Sequence, residues 1–528
     1  MLRLLIAPRR YRLAESSTLY KLDRAPSQRR EGLPKPSLLR KVIKVFAKRP
    51  EVGVQAHHRG PLDLPPLGRP VHTILTGHSA HSLLDVAYMF VFLLQLRDLL
   101  VHHRVHLFLV YMALVWSVWG WKAWLSRRYT PFTGESNATT AVLIPVVDEP
   151  ADLFGEVLRR ITEQNPDEIH VVINGPHNPT LEAICAEFPG VHSTWTEVPG
   201  KRNALRVGVE ETTSDICVLV DSDTIWTSNT LSELIRPFAD PKVGGVTTKQ
   251  RILVPERHIL SRWADWMESL RNEYAMPAMS VLGTVGCLPG RTIAFRRSVL
   301  VDSMDHFMTG RFLGIFLEVS DDRTLTNECL KQGFETVYQS SSLVYTDAPL
   351  EWKKMAKQQL RWARGSQYNT LRMFPWMLQN AKPLAFFYLA DILLPFLLLG
   401  AYLGWFVRQF IITDVDLFEP FVSTFGRFGG GLLVAVLAIV ASTASSALRQ
   451  SRHLRENPSD LWRIPTFLVI STLMLMPIRM LGFTRMAHNS GWGTRAGGFA
   501  GESSRNPQAV IPYALALMMV LGMSLYQP

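Results

Sequence analysis

An almost purely apolar run, Ile216-Cys217-Val218-Leu219-Val220, ends in Asp221-Ser222-Asp223. Two carboxylates spaced i, i+2 at the mouth of a buried strand are hard oxygen donors. They can face one divalent cation whose remaining positions are filled by phosphate oxygens. The pattern is common in a long chain, and Asp414-x-Asp416 repeats it after an apolar segment, where it reads as solvated loop acid. A second apolar run, Ala141–Val146, leads into Val147-Asp148-Glu149. Alone these acids read as a helix N-cap; beside the first strand, a nucleotide contact is the better reading. Pro199-Gly200-Lys201-Arg202 puts two cations at the start of a predicted helix, against the helix dipole. Either an anionic diphosphate offsets that cost or the pair is simply solvated. Val319-Ser320-Asp321-Asp322-Arg323 sets two acids before a helical stretch at 324–333. Capping is one use for them. The other is general-base catalysis, with one carboxylate raised toward a useful pKa by burial or by its neighbour. Gln358-x-x-Arg361-Trp362 follows on a basic helical stretch. Its Arg suits a departing diphosphate and its Trp a sugar ring, and an amphipathic helix on a membrane would have the same composition. Last, Ser490-Gly491-Trp492-Gly493-Thr494-Arg495 lies in a Gly-rich loop that reads as a cover for a nucleotide or as a plain connector.

The elements that must position these residues follow from periodicity. Strands at Ala141–Val146, Ile169–Ile173 and Ile216–Val220 alternate with helices at 151–163 and Lys201–Glu211, which implies an α/β domain with a mainly parallel sheet. Apolar segments flank it. Leu83–Leu96 is short against the roughly 20 residues of a full span, whereas Val105–Leu125 is long enough and carries four Trp toward one end as an aromatic belt. Arg127 and Arg128 then put the domain in the cytoplasm. Beyond it lie Leu384–Val407, Leu432–Leu448, Ile464–Leu481 and Val510–Leu525. Arginines in the loops 449–463 and 483–507 place both ends of Ile464–Leu481 inside, and Pro477 and Arg479 are costly in lipid, so this segment reads as interfacial or re-entrant. That leaves five spans, or four if the first also lies on the surface. The organisation is a basic arm without regular structure at 1–78, a membrane pair at 79–128, a catalytic domain at 129–348, interfacial helices at 349–383 and a C-terminal membrane part at 384–528.

The formal charge of +11 fits this layout, because about fifteen Lys and Arg crowd the first sixty residues and others border the apolar blocks. No zinc-finger, RNA-binding or helix-turn-helix signature accompanies them, so the expected partner is anionic lipid and not nucleic acid. Cys185, Cys217, Cys287 and Cys329 are widely spaced, without a CxxC pair, and imply a reducing side and no disulfide framework.

The order strand-Asp, Gly-Lys-Arg, Asp-x-Asp, Asp-Asp-Arg, Gln-x-x-Arg-Trp and Trp-Gly-Thr-Arg resembles the processive family 2 glycosyltransferases over about residues 80–526. The similarity is strongest to hyaluronan synthases and to the fungal capsule-type and type 2 enzymes. The resemblance implies a GT-A catalytic domain embedded in a transmembrane helical bundle, facing the cytoplasm, with a UDP-sugar donor, a growing glycan acceptor and Mg2+ or Mn2+. It places Asp148 on the uridine, Lys201 on the nucleotide, and Asp221 and Asp223 on the metal and diphosphate. Asp322 becomes the base, with Asp321 beside it on the acceptor side. Gln358, Arg361 and Trp362 line the acceptor and diphosphate site, and Trp492, Thr494 and Arg495 lie near the nucleotide. Where hyaluronan synthases carry Cys-x-Ser-Gly-Pro near the acceptor, this chain reads Cys287-Leu288-Pro289-Gly290-Arg291, closer to the fungal branch. The expected activity is inverting transfer into a polysaccharide exported through the enzyme's own channel, in the plasma membrane. A non-processive enzyme making a glycolipid would share every motif up to Trp362, and a transporter or scaffold would need none of the acids.

Overall fold

The computed structural model describes residues 107–407 apart from 318, then 419–488 and 507–524. The arm at 1–78, the segment Leu83–Leu96, the Asp414-x-Asp416 loop and the Ser490–Arg495 loop with Trp492, Thr494 and Arg495 lie outside the described residues.

The chain enters through α1 (Leu107–Ser126). A β/α series follows: β1 (Thr140–Val146), α2 (Ala151–Thr162), β2 (Glu168–Asn174), α3 (Pro179–Ala186), β3 (Val191–Thr196), α4 (Lys201–Glu211) and β4 (Ile216–Val220). Next come β5 (Ile225–Trp226), α5 (Thr230–Ile235), β6 (Val243–Ile252), α6 (Ile259–Leu270), a π-helical turn (Arg271–Ala275) and α7 (Met276–Val281). β7 (Thr292–Arg296), α8 (Arg297–Thr309), the two-residue strands β8 (Arg311–Phe312) and β9 (Ile315–Phe316), α9 (Asp321–Lys331) and β10 (Glu335–Thr346) complete the domain. The rest is helical: α10 (Trp352–Asn380), α11 (Lys382–Val407), α12 (Glu419–Arg449, broken by a kink at Gly426), α13 (Ser451–Glu456), α14 (Ile464–Ile470), α15 (Met476–Thr484) and α16 (Ile511–Ser524).

The main sheet runs β3-β2-β1-β4-β7-β6-β10-β5. From β3 to β4 every pairing is parallel, which matches the βα spacing of the sequence. β7 then lies antiparallel to both β4 and β6, while β6 and β10 are parallel again. The central strands read as continuous apolar runs because both sheet faces are covered. Alternate side chains serve two cores. Val142, Ile144, Val146, Val218 and Val220 pack with α2, α3 and α5. Leu143, Leu219, Ile293 and Phe295 share a core with Val118 and Leu125 of α1 and with Leu384 and Phe387 of α11. The second core is therefore continuous with the apolar helices, and the sheet is seated on them.

Among the described residues three helical stretches are long and apolar enough to cross a membrane: Leu107–Ser126, Lys382–Gly404 and Pro458–Thr484. The third has both ends held by the catalytic part. Near its start, Arg262 Nε of α6 donates to Asp460 at 2.9 Å. At its end, Arg364 Nε of α10 donates to the Arg485 carbonyl at 2.9 Å, and Gly482 lies directly against Ala363.

Candidate active site

Parallel pairing of β1 with β4 puts the two acid-bearing strand ends side by side, with Ala141 opposite Cys217 and Leu143 opposite Leu219. The Ser222 hydroxyl donates to Glu149 Oε1 at 2.9 Å and ties the two loops together. Neither Asp148 nor Glu149 caps α2: the cap residue is Pro150, without a side-chain cap bond. Asp148 is exposed at the crevice. The Asp221 turn is held by its own N–H, which donates to the Arg291 carbonyl at 3.0 Å, and by Thr224 N–H, which donates to the Asp221 carbonyl at 3.1 Å.

The two cations of α4 take separate paths. Asn174, buried at the end of β2, donates to the Val146 carbonyl at 3.0 Å and accepts the Gly200 N–H at 3.1 Å. Gly200 sits at φ +118°, a conformation that glycine reaches at low cost, and it opens the helix. Lys201 then forms an ion pair with Asp221 Oδ1 at the strand end. Burial alone would lower the Lys201 pKa; Asp221 outweighs it, Asp321 and Asp322 add to the effect, and the ammonium is held protonated. Arg202 turns into the core, where Nε meets Asp321 Oδ1 at 2.7 Å and Nη1 donates to the Phe307 carbonyl at 2.7 Å. The unfavourable start of α4 is thus offset by two carboxylates, one at the site and one inside the fold.

Asp321 and Asp322 part in the same way. α9 begins at Asp321, three residues before the expected start, and its cap is Ser320 at φ +64°. Asp321 is buried in the Arg202 pair. Asp322 accepts the Ser320 hydroxyl at 3.1 Å and the Arg323 N–H at 2.7 Å on Oδ1, and the Gly290 N–H at 3.2 Å on Oδ2. Burial pushes its carboxyl pKa up, against the lowering effect of the Arg323 N–H and of Lys201. Gly290 is where the motifs meet: a side-chain carbon there would lie 3.6 Å from Lys201 Nζ and 3.8 Å from Asp322 Oδ2. A carboxylate and an ammonium converge on this glycine, and the next residue, Arg291, holds the Asp221 turn.

α10 lies across α9. Gly365, one turn after Arg361-Trp362, packs with its Cα directly on the Ser320 side chain. Arg323 donates to the hydroxyls of Ser366 at 2.6 Å and Thr370 at 2.7 Å, and its guanidinium lies 4.1 Å from the Tyr388 ring centroid on α11. Trp362 is 40% exposed, so its ring is open to a ligand. The Arg291 guanidinium lies 5.6 Å from that ring. Arg291 also donates to Gln250 Oε1 and Glu268 Oε1, each at 2.8 Å, and Arg271 joins the same pair. Burial would raise the Glu268 pKa, and Arg271 and Arg291 more than reverse it. Gln358 and Arg361 are half-buried on the preceding turn of α10. Burial pushes the Cys287 thiol up to about 12, so it is not a nucleophile at neutral pH.

The structure therefore brings Asp148, Lys201, Asp221 and Asp322 to one edge, with Trp362 reached through Arg291. Sequence reading missed Asn174, Gln250, Glu268 and Arg291. Only Asn174 carried a signal, as a polar residue ending an apolar run; the others are joined by tertiary contacts. Asp221 and Asp223 supply two carboxylates, and among the described residues no three His, Cys, Asp or Glu side chains form a metal cage. The pair fits a hard divalent cation that completes its shell with phosphate oxygens.

Residues 137–365 match the family described as glycosyltransferase like family 2. This chain carries a family 2 glycosyltransferase domain. Similar proteins extend well past that domain. A hyaluronan synthase of Streptococcus pyogenes is 26% identical over 387 residues, 71% of this chain and 87% of the relative. An N-acetylglucosaminyltransferase of Mesorhizobium japonicum is 27% identical over 378 residues, 69% of this chain and 84% of the relative. Among solved structures, a mannosyltransferase of Pyrobaculum calidifontis in complex with GDP-Man and Mn2+ aligns with TM-score 0.45 and 19% identity, over 70% of this chain and 99% of that one. The expected GT-A-like fold and the glycosyltransferase assignment hold. The sheet, expected to be mainly parallel, is mixed: β7 runs antiparallel to β4 and β6, and β5 to β10.

Proposed function

We propose that this glycosyltransferase builds a polysaccharide, hyaluronan- or chitin-like, by inverting transfer from a UDP-sugar. The observation that carries the reading is the meeting of Asp322 and Lys201 at Gly290, beside the Asp221 turn. A base and a diphosphate-binding cation must flank the anomeric carbon in a single displacement, one on the acceptor side and one on the leaving-group side. Asp322 Oδ2 takes the proton of the acceptor hydroxyl. That oxygen attacks the anomeric carbon as its bond to the diphosphate breaks. Lys201, with Arg361, meets the negative charge that develops on the leaving group. Asp148 contacts the uridine, Trp362 stacks on the acceptor, Gln358 and Cys287 border it, and Trp492, Thr494 and Arg495 belong to a loop over the nucleotide. Mg2+ or Mn2+, held by Asp221 and Asp223, supplies Lewis-acid neutralisation of the diphosphate when bound. Asp321 acts on the acceptor side indirectly, by holding α9 through Arg202.

The catalytic domain faces the cytoplasm of a plasma-membrane protein in this reading, and the polymer leaves between the apolar helices. Support comes from the arginine-rich loop 449–463, which is bonded to the catalytic domain through Asp460 and through Glu456, whose Oε2 lies 3.2 Å from Arg251 Nη1. The stretch 458–484, held at both ends, is re-entrant. Purified protein is to be incubated with a panel of radiolabelled UDP-sugars, with and without EDTA, and its product digested with linkage-specific hydrolases. A metal-dependent ladder of long products is expected. A single lipid-extractable product would overturn the polymer reading.

A further inference from the structure

Away from the catalytic edge, the chain leaves α1 over an open cavity of about 480 Å3. Its walls come from segments distant in sequence: Arg127 and Tyr129 after α1, Lys249 on β6, Glu273 in the π-helical turn, Tyr338 on β10 and Arg452 on α13. None of the candidate catalytic residues lines it.

The lining carries three cations against one carboxylate. Lys249 Nζ lies 3.2 Å from Glu273 Oε1 and neutralises it. Arg452 donates to the Glu273 backbone carbonyl at 2.6 Å and lies 4.8 Å from the Tyr274 ring centroid, so its charge is fixed in place without a carboxylate partner there. Arg127 stands exposed at the rim. The excess is two positive charges in a concave, partly dehydrated site. Tyr129 closes the wall between them, its hydroxyl donating to the Tyr338 carbonyl at 2.8 Å. A phosphate offers the charge and the several acceptor oxygens that such a site lacks.

The location decides which phosphate. α1 leaves Phe108 and Leu109 exposed in its first turn, and its last turns expose Trp121 and Trp124. Trp at the end of an apolar helix marks the membrane-water boundary. Arg127 and the cavity lie within one turn of that mark, at the depth of the lipid phosphates. We propose that this cavity binds the phosphate of an anionic phospholipid headgroup. The assignment rests on α1 entering the bilayer and is independent of the sugar chemistry.

The test uses the full-length protein in nanodiscs of phosphatidylcholine alone or mixed with phosphatidylglycerol. Lipid retained after delipidation is read by native mass spectrometry, and thermal stability is read in parallel. Wild type should retain phosphatidylglycerol in preference to phosphatidylcholine. Arg127→Gln with Lys249→Gln should weaken that retention about thirtyfold, for two basic contacts at a membrane surface. Arg127→Gln alone, at an exposed position, should weaken it about fivefold and leave folding intact. Arg128→Gln is the control, because Arg128 lies over the Trp124 ring at 3.9 Å and outside the cavity. Equal loss in Arg128→Gln would mean a diffuse basic surface and overturn the site. So would the absence of any preference for the anionic lipid. Inorganic phosphate that stabilised the detergent-solubilised protein as much as phosphatidylglycerol would overturn the lipid assignment.

Discussion

Asp322 is an acid whose surroundings favour its neutral form, and that sets what it contributes to stability and to rate. Its folded pKa lies above the ordinary 3.8. Ionisation therefore costs stability as pH rises through the folded value, and the cost is relieved as pH falls. The sugar-transfer rate moves the other way, because a base must be ionised. Sugar transfer should decline on acidification with a midpoint above the usual carboxylate range, read from a pH profile of kcat/KM. Asp322→Asn should lower kcat by about 10²–10⁴ while Tm stays level or rises; a variant with normal turnover would sink the base assignment. Asp321 obeys different physics, since its partner Arg202 is buried with it. Arg202→Met should cost about 3–5 kcal/mol in urea unfolding by stranding a buried carboxylate, and adding Asp321→Leu should recover much of that loss. A direct acceptor contact by Asp321 would instead leave the double variant stable but with a raised acceptor KM.

At the scale of elements, the site depends on how α10 rests on α9. Gly365 admits the Ser320 side chain, Ser320 adopts the left-handed conformation at the α9 cap, and Ser320 in turn donates to Asp322. A methyl group at Gly365 would displace Ser320 and with it Asp322. Gly365→Ala should cost about 1–3 kcal/mol by overpacking and shift the acidic limb of the rate profile, whereas a purely structural glycine would alter stability alone. β1, β4 and α4 were legible in the sequence because each is a continuous run of one periodicity with a turn signal after it. β7 was not legible. Five residues, Thr292–Arg296, carry no mark of the antiparallel direction, which is set by pairing with β4 on one side and β6 on the other.

At the scale of the whole molecule, one core joins the sheet to the apolar helices, and Arg323 links α9 to α10 and to Tyr388 on α11. The catalytic domain and the apolar helices are thereby packed on one another. If the loop 449–463 lies on the side of the catalytic domain, single cysteines at Glu135 and Ser459 should both be labelled by an impermeant maleimide only in opened vesicles. Labelling of Ser459 alone in sealed cells would show that the stretch 458–484 crosses the bilayer.

The residue types and their order along the chain already determined a sugar-transfer chemistry, its acids and the apolar segments around it, because those depend on local composition and spacing. Only the tertiary structure decided which of two adjacent charges faces the crevice. Lys201 and Arg202, like Asp321 and Asp322, are indistinguishable as neighbours in sequence; successive residues at a helix start point in different directions, so one of each pair reaches the crevice and the other is buried. Arg291, too, acquired its place between Asp221 and Trp362 only when strands far apart in the chain came together.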